Sequence, residues 1–326
     1  MKQLDFEHKY RDFWLNFSRL LDQLEKVHDE DELCARQWPE FPAQYRKLCQ
    51  HLSLAQTRQY SPRLTDQLHA LVLRGHQHLY QAKPSVMAAS LRFIARTFPQ
   101  ALRADWRVWL IASLMFYLPG IFMALMCYSD PDFIRTIMSY SDLQQLEYMY
   151  NPATEITGRA EGRQADSDFY MFGYYVMNNV GIDFRAYASG IFFGIGSAFF
   201  MIFNGLNIGA AAGHLTQLGY TETFWGFVAG HSALELTAAT IAGAAGLKLG
   251  YALINPGHYS RALALRKSGS ATIPLITGAA LMTFLAAFVE GFWSATAGVP
   301  AEVKYSVGIL AWIAVFAYLL LAGRNS

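Results

Sequence analysis

The feature that most constrains this chain is the run from Val108 to Tyr128, which carries no charged side chain. Its length of about 20 residues is what a helix needs to cross a bilayer. Within hydrocarbon every backbone N–H and C=O has to be satisfied inside the protein, and an α-helix does this within one segment. Further apolar stretches follow at about Tyr187 to Ile208, Phe224 to Ile254, Ile273 to Trp293 and Ser306 to Leu321. The expected fold class is all-α, a polytopic membrane helix bundle with about five transmembrane segments behind an N-terminal soluble helical bundle.

Charge divides the chain at the same place. Residues 1 to 107 carry 28 charged side chains, whereas the remaining two thirds carry only 23, concentrated in a few connecting segments. We therefore expect a helical domain over residues 1–106 and a transmembrane domain over 107–326. Met1 to Asp12 is polar and mixed in charge, with no apolar core of a signal peptide, so the N-terminal domain is expected on the cytoplasmic side. Cys34, Cys49 and Cys127 show neither paired spacing nor a CxxC, which argues against a disulfide framework. A net charge of +1 and the lack of a basic, aromatic-rich stripe give no argument for nucleic acid.

In the soluble part, Phe6, Phe13, Phe17, Leu20, Leu21 and Leu24 recur at helical spacing. Tyr45, Leu48, Leu52 and Ala55 repeat the pattern, and Leu64, Leu68, Leu71, Val72 and Leu79 form a third stripe, with Pro62 suited to a first turn. His69, His76 and His78 on this third helix are spaced by seven and two, which does not bring all three to one face, so no metal site is expected there. The acidic run Asp29 to Glu32 is expected as a solvated loop. Arg92, Arg96, Arg103 and Arg107 precede the first long apolar run and mark an inner-leaflet boundary.

The segment from Ser129 to Arg185 holds nine acidic and four basic residues, and is expected outside, with an extracytoplasmic portion at about 129–186. Phe169 to Val180, which contains Asn178 and Asn179, is expected to pack at the interface rather than to span. The run Phe224 to Ile254 then poses a conflict. If it crosses once, Arg261, Arg266 and Lys267 fall outside, against the positive-inside tendency. If it dips in and returns, with a break near Gly226 to His231, they come back inside. We expect the single crossing.

Within that run lie His231 and Glu235, four residues apart and so on one helix face. Ionisable groups at such a depth are costly and mark a site by default. HSALE lacks the second histidine and adjacent glutamate of HExxH, and two ligands do not make a zinc centre, so neither a metal nor a cofactor is expected. A clamp between helices and a polar site for transport both fit the pair; hydrolysis fits less well. Asn204 and Asn207 flank Gly205, where an Asn-Gly step is a place for a helix to break and form a substrate site. The expected intramembrane site is therefore Asn204, Asn207, His231 and Glu235, with Lys248, Glu290, Asn178 and Asn179 as secondary candidates. Gly190, Gly194, Gly205, Gly209, Gly246 and Gly250 fall at four-residue spacings that let helix backbones approach closely, either within the bundle or at a dimer face.

Asn178-Asn179, Gly190-x3-Gly194-x-Gly196, Asn204-Gly205-x3-Gly209 and GHSALELTAATIAGAAGLKLG from Gly230 resemble the stage II sporulation protein M family of bacterial integral membrane proteins. FPAQYRKL from Phe41 and LHALVLRGHQHLY from Leu68 are similar to the cytoplasmic helical region of its longer members. The resemblance implies a bacterial cytoplasmic-membrane protein with partners such as envelope proteins or a MoxR-type ATPase; the leading expectation is a non-enzymatic scaffold or partner subunit in a cell-envelope complex, with no catalytic residue assigned. A homodimer in the lipid bilayer is expected. The alternatives are a transporter or channel component centred on His231 and Glu235 and, third, an intramembrane hydrolase.

Overall fold

The computed structural model describes residues 2–26, 40–79, 86–154, 165–296 and 298–324, and every regular element among them is helical. The chain forms two compact units, Met1–Val86 and Met87–Ser326.

The first unit contains α1 (Gln3–Lys26), α2 (Phe41–Thr57) and α3 (Pro62–Leu79). Their apolar stripes meet in one core of Phe6, Phe17, Leu21, Phe41, Leu48, Leu52, Ala55, Leu64 and Leu68. Arg74 on α3 bonds both Asp22, at 2.6 Å, and Glu25, at 2.9 Å, on α1. The acidic run from Asp29 and Cys34 lie outside the described residues.

In the second unit, α4 (Val86–Arg92) continues through a π-turn (Phe93–Thr97) into α5 (Phe98–Ala104), and α6 (Trp106–Ser129) follows at once. Residues 87–106, placed above with the soluble domain, belong to this unit. The reason is chemical: Phe98 lies over Gly278, and Arg103 donates at 2.7 Å to the carbonyls of Leu319 and of Ala322, capping the last helix.

A short 3-10 turn (Phe133–Thr136) and α7 (Tyr140–Tyr150) lead to α8 (Ala165–Ala188). Then come α9 (Ile195–Gln217), α10 (Thr221–Ile254), α11 (Arg261–Val289, extended by a π-turn, Glu290–Ser294) and α12 (Ala301–Leu321). Five of these, α6, α9, α10, α11 with its π-turn and α12, are long and apolar enough to cross a membrane.

Three local expectations change. The second apolar stretch does not run on from Tyr187: a 3-10 turn at Ser189–Ile191 and positive φ at Phe193 and Gly194 separate α8 from α9. Gly190 lies there against the Gly246 backbone and Gly250 against that of Gly194, approaches that a Cβ on Gly190 or Gly250 would block, while the positive φ at Gly194 favours glycine. α9 passes through Asn204-Gly205 unbroken, because both asparagine amides bond within the helix. α10 is continuous over 34 residues, so the break that a re-entrant hairpin needs near Gly226 to His231 is absent.

The direction of the helices decides what α8 does. Gly205, Gly209 and Gly213 on α9 face Phe116, Gly120 and Ala124 on α6, so these two helices run parallel. Between them the chain has to return through the same depth. α8 makes that return beside α11, with Phe169 against Phe292, Asp183 bonded to Thr283, and Tyr187 bonded to Thr272 at 3.0 Å. Six helices thus traverse the second unit, although α8 is too polar to declare itself as a span.

Candidate functional site

α10 is the axis of the second unit, buried along most of its length from Gly230 to Gly250. Alanine and glycine dominate this stretch and let neighbouring helices close around it. His231 and Glu235 occupy one face, as their four-residue spacing requires. His231 is 5% exposed and packs edge-on to the Phe227 ring, 5.4 Å between centroids.

The surroundings of the pair come from three other helices. Glu290, at the α11 π-turn and 7% exposed, brings its carboxylate so close that the ligand-capable atoms of His231, Glu235 and Glu290 all lie within 4.8 Å of one another. The π-turn inserts an extra residue per turn, a device that re-aims side chains at functional sites. Ser294, on the same turn, lies 3.1 Å from His231 Nδ1. From α8, Asn179 Nδ2 donates to Glu290 Oε2 at 3.2 Å, and Asn178 Nδ2 donates to Asn179 Oδ1 at 2.8 Å. Lys304 on α12 donates to the Ser294 carbonyl at 2.8 Å.

Glu235 stands apart in this network. Its Oε2 is inaccessible to water and accepts no hydrogen bond, and His231 Nε2 is 3.8 Å away. A little along α8, the buried Asp183 accepts from Thr283 Oγ1.

The structure therefore joins His231 and Glu235 to Glu290, Asn179 and, through it, Asn178. It does not wire in Asn204 or Asn207, whose amides donate to the carbonyls of Phe200, at 2.7 Å, and Phe203, at 2.8 Å, one turn back on α9. Lys248 pairs with Asp105, at 2.5 Å, beside the start of α6 and near the other end of α10. Asp183, Thr283, Ser294 and Lys304 were not anticipated. Asp183 was detectable as the lone acidic residue in an aromatic segment, but only once that segment is read as traversing the bundle. Ser294 and Lys304 carry no sequence signal, since their roles depend on the π-turn.

The glycines meet partners inside the chain. A Cβ on Gly190 would overlap the Gly246 carbonyl, on Gly205 the Phe116 carbonyl, on Gly209 the Gly120 carbonyl, and on Gly250 the Gly194 backbone. Beside this seam an apolar groove of about 570 Å³ runs between α6, α9, α10 and α12, from Phe116 and Gly209 to Ser232, Leu236 and Trp312. In the first unit, His51 is buried and accepts from Trp14 Nε1 at 3.0 Å; burial first, and the Lys47 charge second, lower its pKa.

Among the described residues, five helices long and apolar enough to cross a membrane pack with α8 around a polar cluster, which defines a polytopic α-helical membrane protein. The model of the family Stage II sporulation protein M matches residues 112–295, and the chain belongs to that family. The model of a domain of unknown function (DUF8413) matches residues 4–81. No curated protein and no solved structure matches the chain.

Proposed function

We propose that the protein is a non-enzymatic subunit of a bacterial cell-envelope complex, held in the cytoplasmic membrane, whose polar centre clamps its helices into a fixed platform. The observation that carries this reading is the wiring of the centre. Asn179 from α8, His231 and Glu235 from α10, Glu290 and Ser294 from the α11 turn and Lys304 from α12 are directed at one another. Groups that line a path for a solute are instead expected to face a wet channel. Partners, which include envelope proteins or a MoxR-type ATPase on the family resemblance, would dock through the helical first unit. A homodimer has to use a surface other than the glycines, which are occupied within the chain.

The orientation follows from counting α8 as a sixth pass. The N-terminal unit, the loop with Arg261, Arg266 and Lys267, and Arg324 then all lie on the cytoplasmic side, in keeping with the positive-inside tendency. Single cysteines in a cysteine-free background test this with an impermeant maleimide. Gln145→Cys is expected to react from outside, and His258→Cys and Arg324→Cys only after permeabilisation. Reaction of the latter two from outside would restore five passes.

The second reading, a transporter or channel component, is favoured by one observation, the unpartnered Glu235 Oε2. Reconstituted vesicles separate the two. The clamp expects no pH-dependent flux from the wild type, and a loss of folding or assembly in Glu235→Gln; a flux abolished by that substitution in a folded protein would establish transport instead.

A further inference from the structure

The geometry around Glu235 points to a resident divalent metal ion: we infer that His231, Glu235 and Glu290 form a three-ligand site, two of its ligands buried and Glu235 partly so, for a first-row divalent cation of the Zn²⁺ class.

The distance between His231 Nε2 and Glu235 Oε2 is the first argument. At 3.8 Å it is too long for a hydrogen bond, which for such atoms falls at about 2.7–3.2 Å. It does suit two donors on one ion: ligands about 2.1 Å from a metal lie about 3.4 Å apart in a tetrahedron and up to about 4.2 Å apart at wider angles. Closing the full triad from its 4.8 Å spread takes a shift of about 1 Å, small for two glutamate side chains.

The orphaned oxygen is the second. Glu235 Oε2 is shielded from water and lacks a hydrogen-bond partner, although the side chain as a whole is only partly buried, and a carboxylate oxygen left unpartnered within a membrane bundle is costly. A bound cation supplies the missing partner.

The surroundings of the ligands are the third. A histidine that binds metal through one nitrogen commonly donates from the other to an oxygen, which fixes its tautomer. Ser294 Oγ is 3.1 Å from His231 Nδ1, so that in the tautomer in which Nδ1–H donates to this hydroxyl, Nε2 presents its lone pair toward Glu235. Asn179 holds Glu290 Oε2 at 3.2 Å, the same kind of support for a carboxylate ligand. One imidazole and two carboxylates form a nitrogen and oxygen set that suits Zn²⁺, Mn²⁺ or Fe²⁺, and the absence of thiolate argues against soft ions. Charge is balanced too, since two carboxylates neutralise one divalent ion.

The site also explains why sequence patterns miss it. HSALE supplies two ligands on one helix, and the third is 55 residues away, on a π-turn. The inference is independent of whether the protein scaffolds or transports, because metal content and flux are separate readouts.

The test uses the full chain, purified in detergent, stripped with chelator, incubated with Zn²⁺ or Mn²⁺, passed through gel filtration and assayed for metal by mass spectrometry. One ion per chain is expected for the wild type, and none for His231→Ala, Glu235→Gln or Glu290→Gln. Ser294→Ala and Asn179→Ala, which leave the ligands intact, are expected to weaken binding about 10- to 100-fold, and they decide the matter if the ligand variants do not fold. A wild type that keeps no metal, or folded variants that keep as much as the wild type, would overturn the site.

Discussion

The seam between α6 and α9 and the centre shared by α8, α10 and α11 solve the same problem by opposite means. Both must hold helices together where lipid removes most of the hydrophobic incentive to associate. The seam is dry: Gly205, Gly209 and Gly213 set backbone directly against Phe116, Gly120 and Ala124, and no interhelical hydrogen bond is needed. The centre is polar, with the buried His231, Glu290, Asn179 and Ser294 and the partly buried Glu235 gathered from three helices. Since the seam shows that this chain can pack helices without polar groups, packing alone does not account for the centre. That contrast is what supports the site proposed at His231, Glu235 and Glu290.

The comparison breaks most visibly at the seam. Gly209→Leu places a side chain into the Gly120 carbonyl, and neither helix can yield without separating. We expect a loss of about 3 kcal/mol or more, beyond ordinary overpacking, read as a collapse of the folded fraction in a detergent unfolding titration. Gly173→Leu, on α8 with nothing near its Cβ position, is the matched control and should unfold as the wild type does. If both behave alike, the seam is not what holds α6 to α9.

In the centre, the corresponding cut is Thr283→Val. It keeps the shape of the side chain and removes the hydroxyl that donates to the buried Asp183. Leaving that carboxylate without its donor is expected to cost about 1–3 kcal/mol, with Thr283→Ser restoring most of it. Equal stability of the wild type and the valine variant would mean that Asp183 is satisfied elsewhere.

A smaller effect is expected where the two regions meet. Trp109 on α6 donates to Thr240 on α10 at 3.0 Å. Hydrogen bonds between membrane helices average about 0.6 kcal/mol, so Trp109→Phe should lower stability by about that amount. A loss several times larger would tie seam and centre into one cooperative element.

How much of this was legible follows from the same contrast. The seam was visible in the sequence because glycines at four-residue spacing are a local pattern with a local cause, and the strongly apolar helices announced themselves by length. His231 and Glu235 were visible for the same reason, as an i, i+4 pair on one helix. The rest of the centre was not, because it is assembled by topology. α8 carries Asn178, Asn179 and Asp183, and its polarity led to a surface assignment, although the parallel run of α6 and α9 leaves it no route but through the unit. On the six-pass reading proposed above, that one helix also accounts for the orientation conflict at Arg261, Arg266 and Lys267. Glu290 was a secondary candidate because it lay near the end of an apolar run, and only the π-turn turns it inward.

Asparagine supplies the sharpest form of the comparison, since the same side chain occurs in both regions with different wiring. Asn204 and Asn207 border the seam and donate to carbonyls of their own helix, which the α-helix already satisfies. Asn179 donates across to Glu290, a carboxylate with few other partners. Asn204→Leu and Asn207→Leu are therefore expected to change stability by no more than about 0.5 kcal/mol, the range of substitutions that remove no needed contact. Asn179→Leu, equal in size and chemistry of change, should be the costlier substitution in the same unfolding titration, because it removes a hydrogen bond to a buried carboxyl group. If the α9 variants prove as damaging as Asn179→Leu, polar function extends along α9 and the division between seam and centre fails.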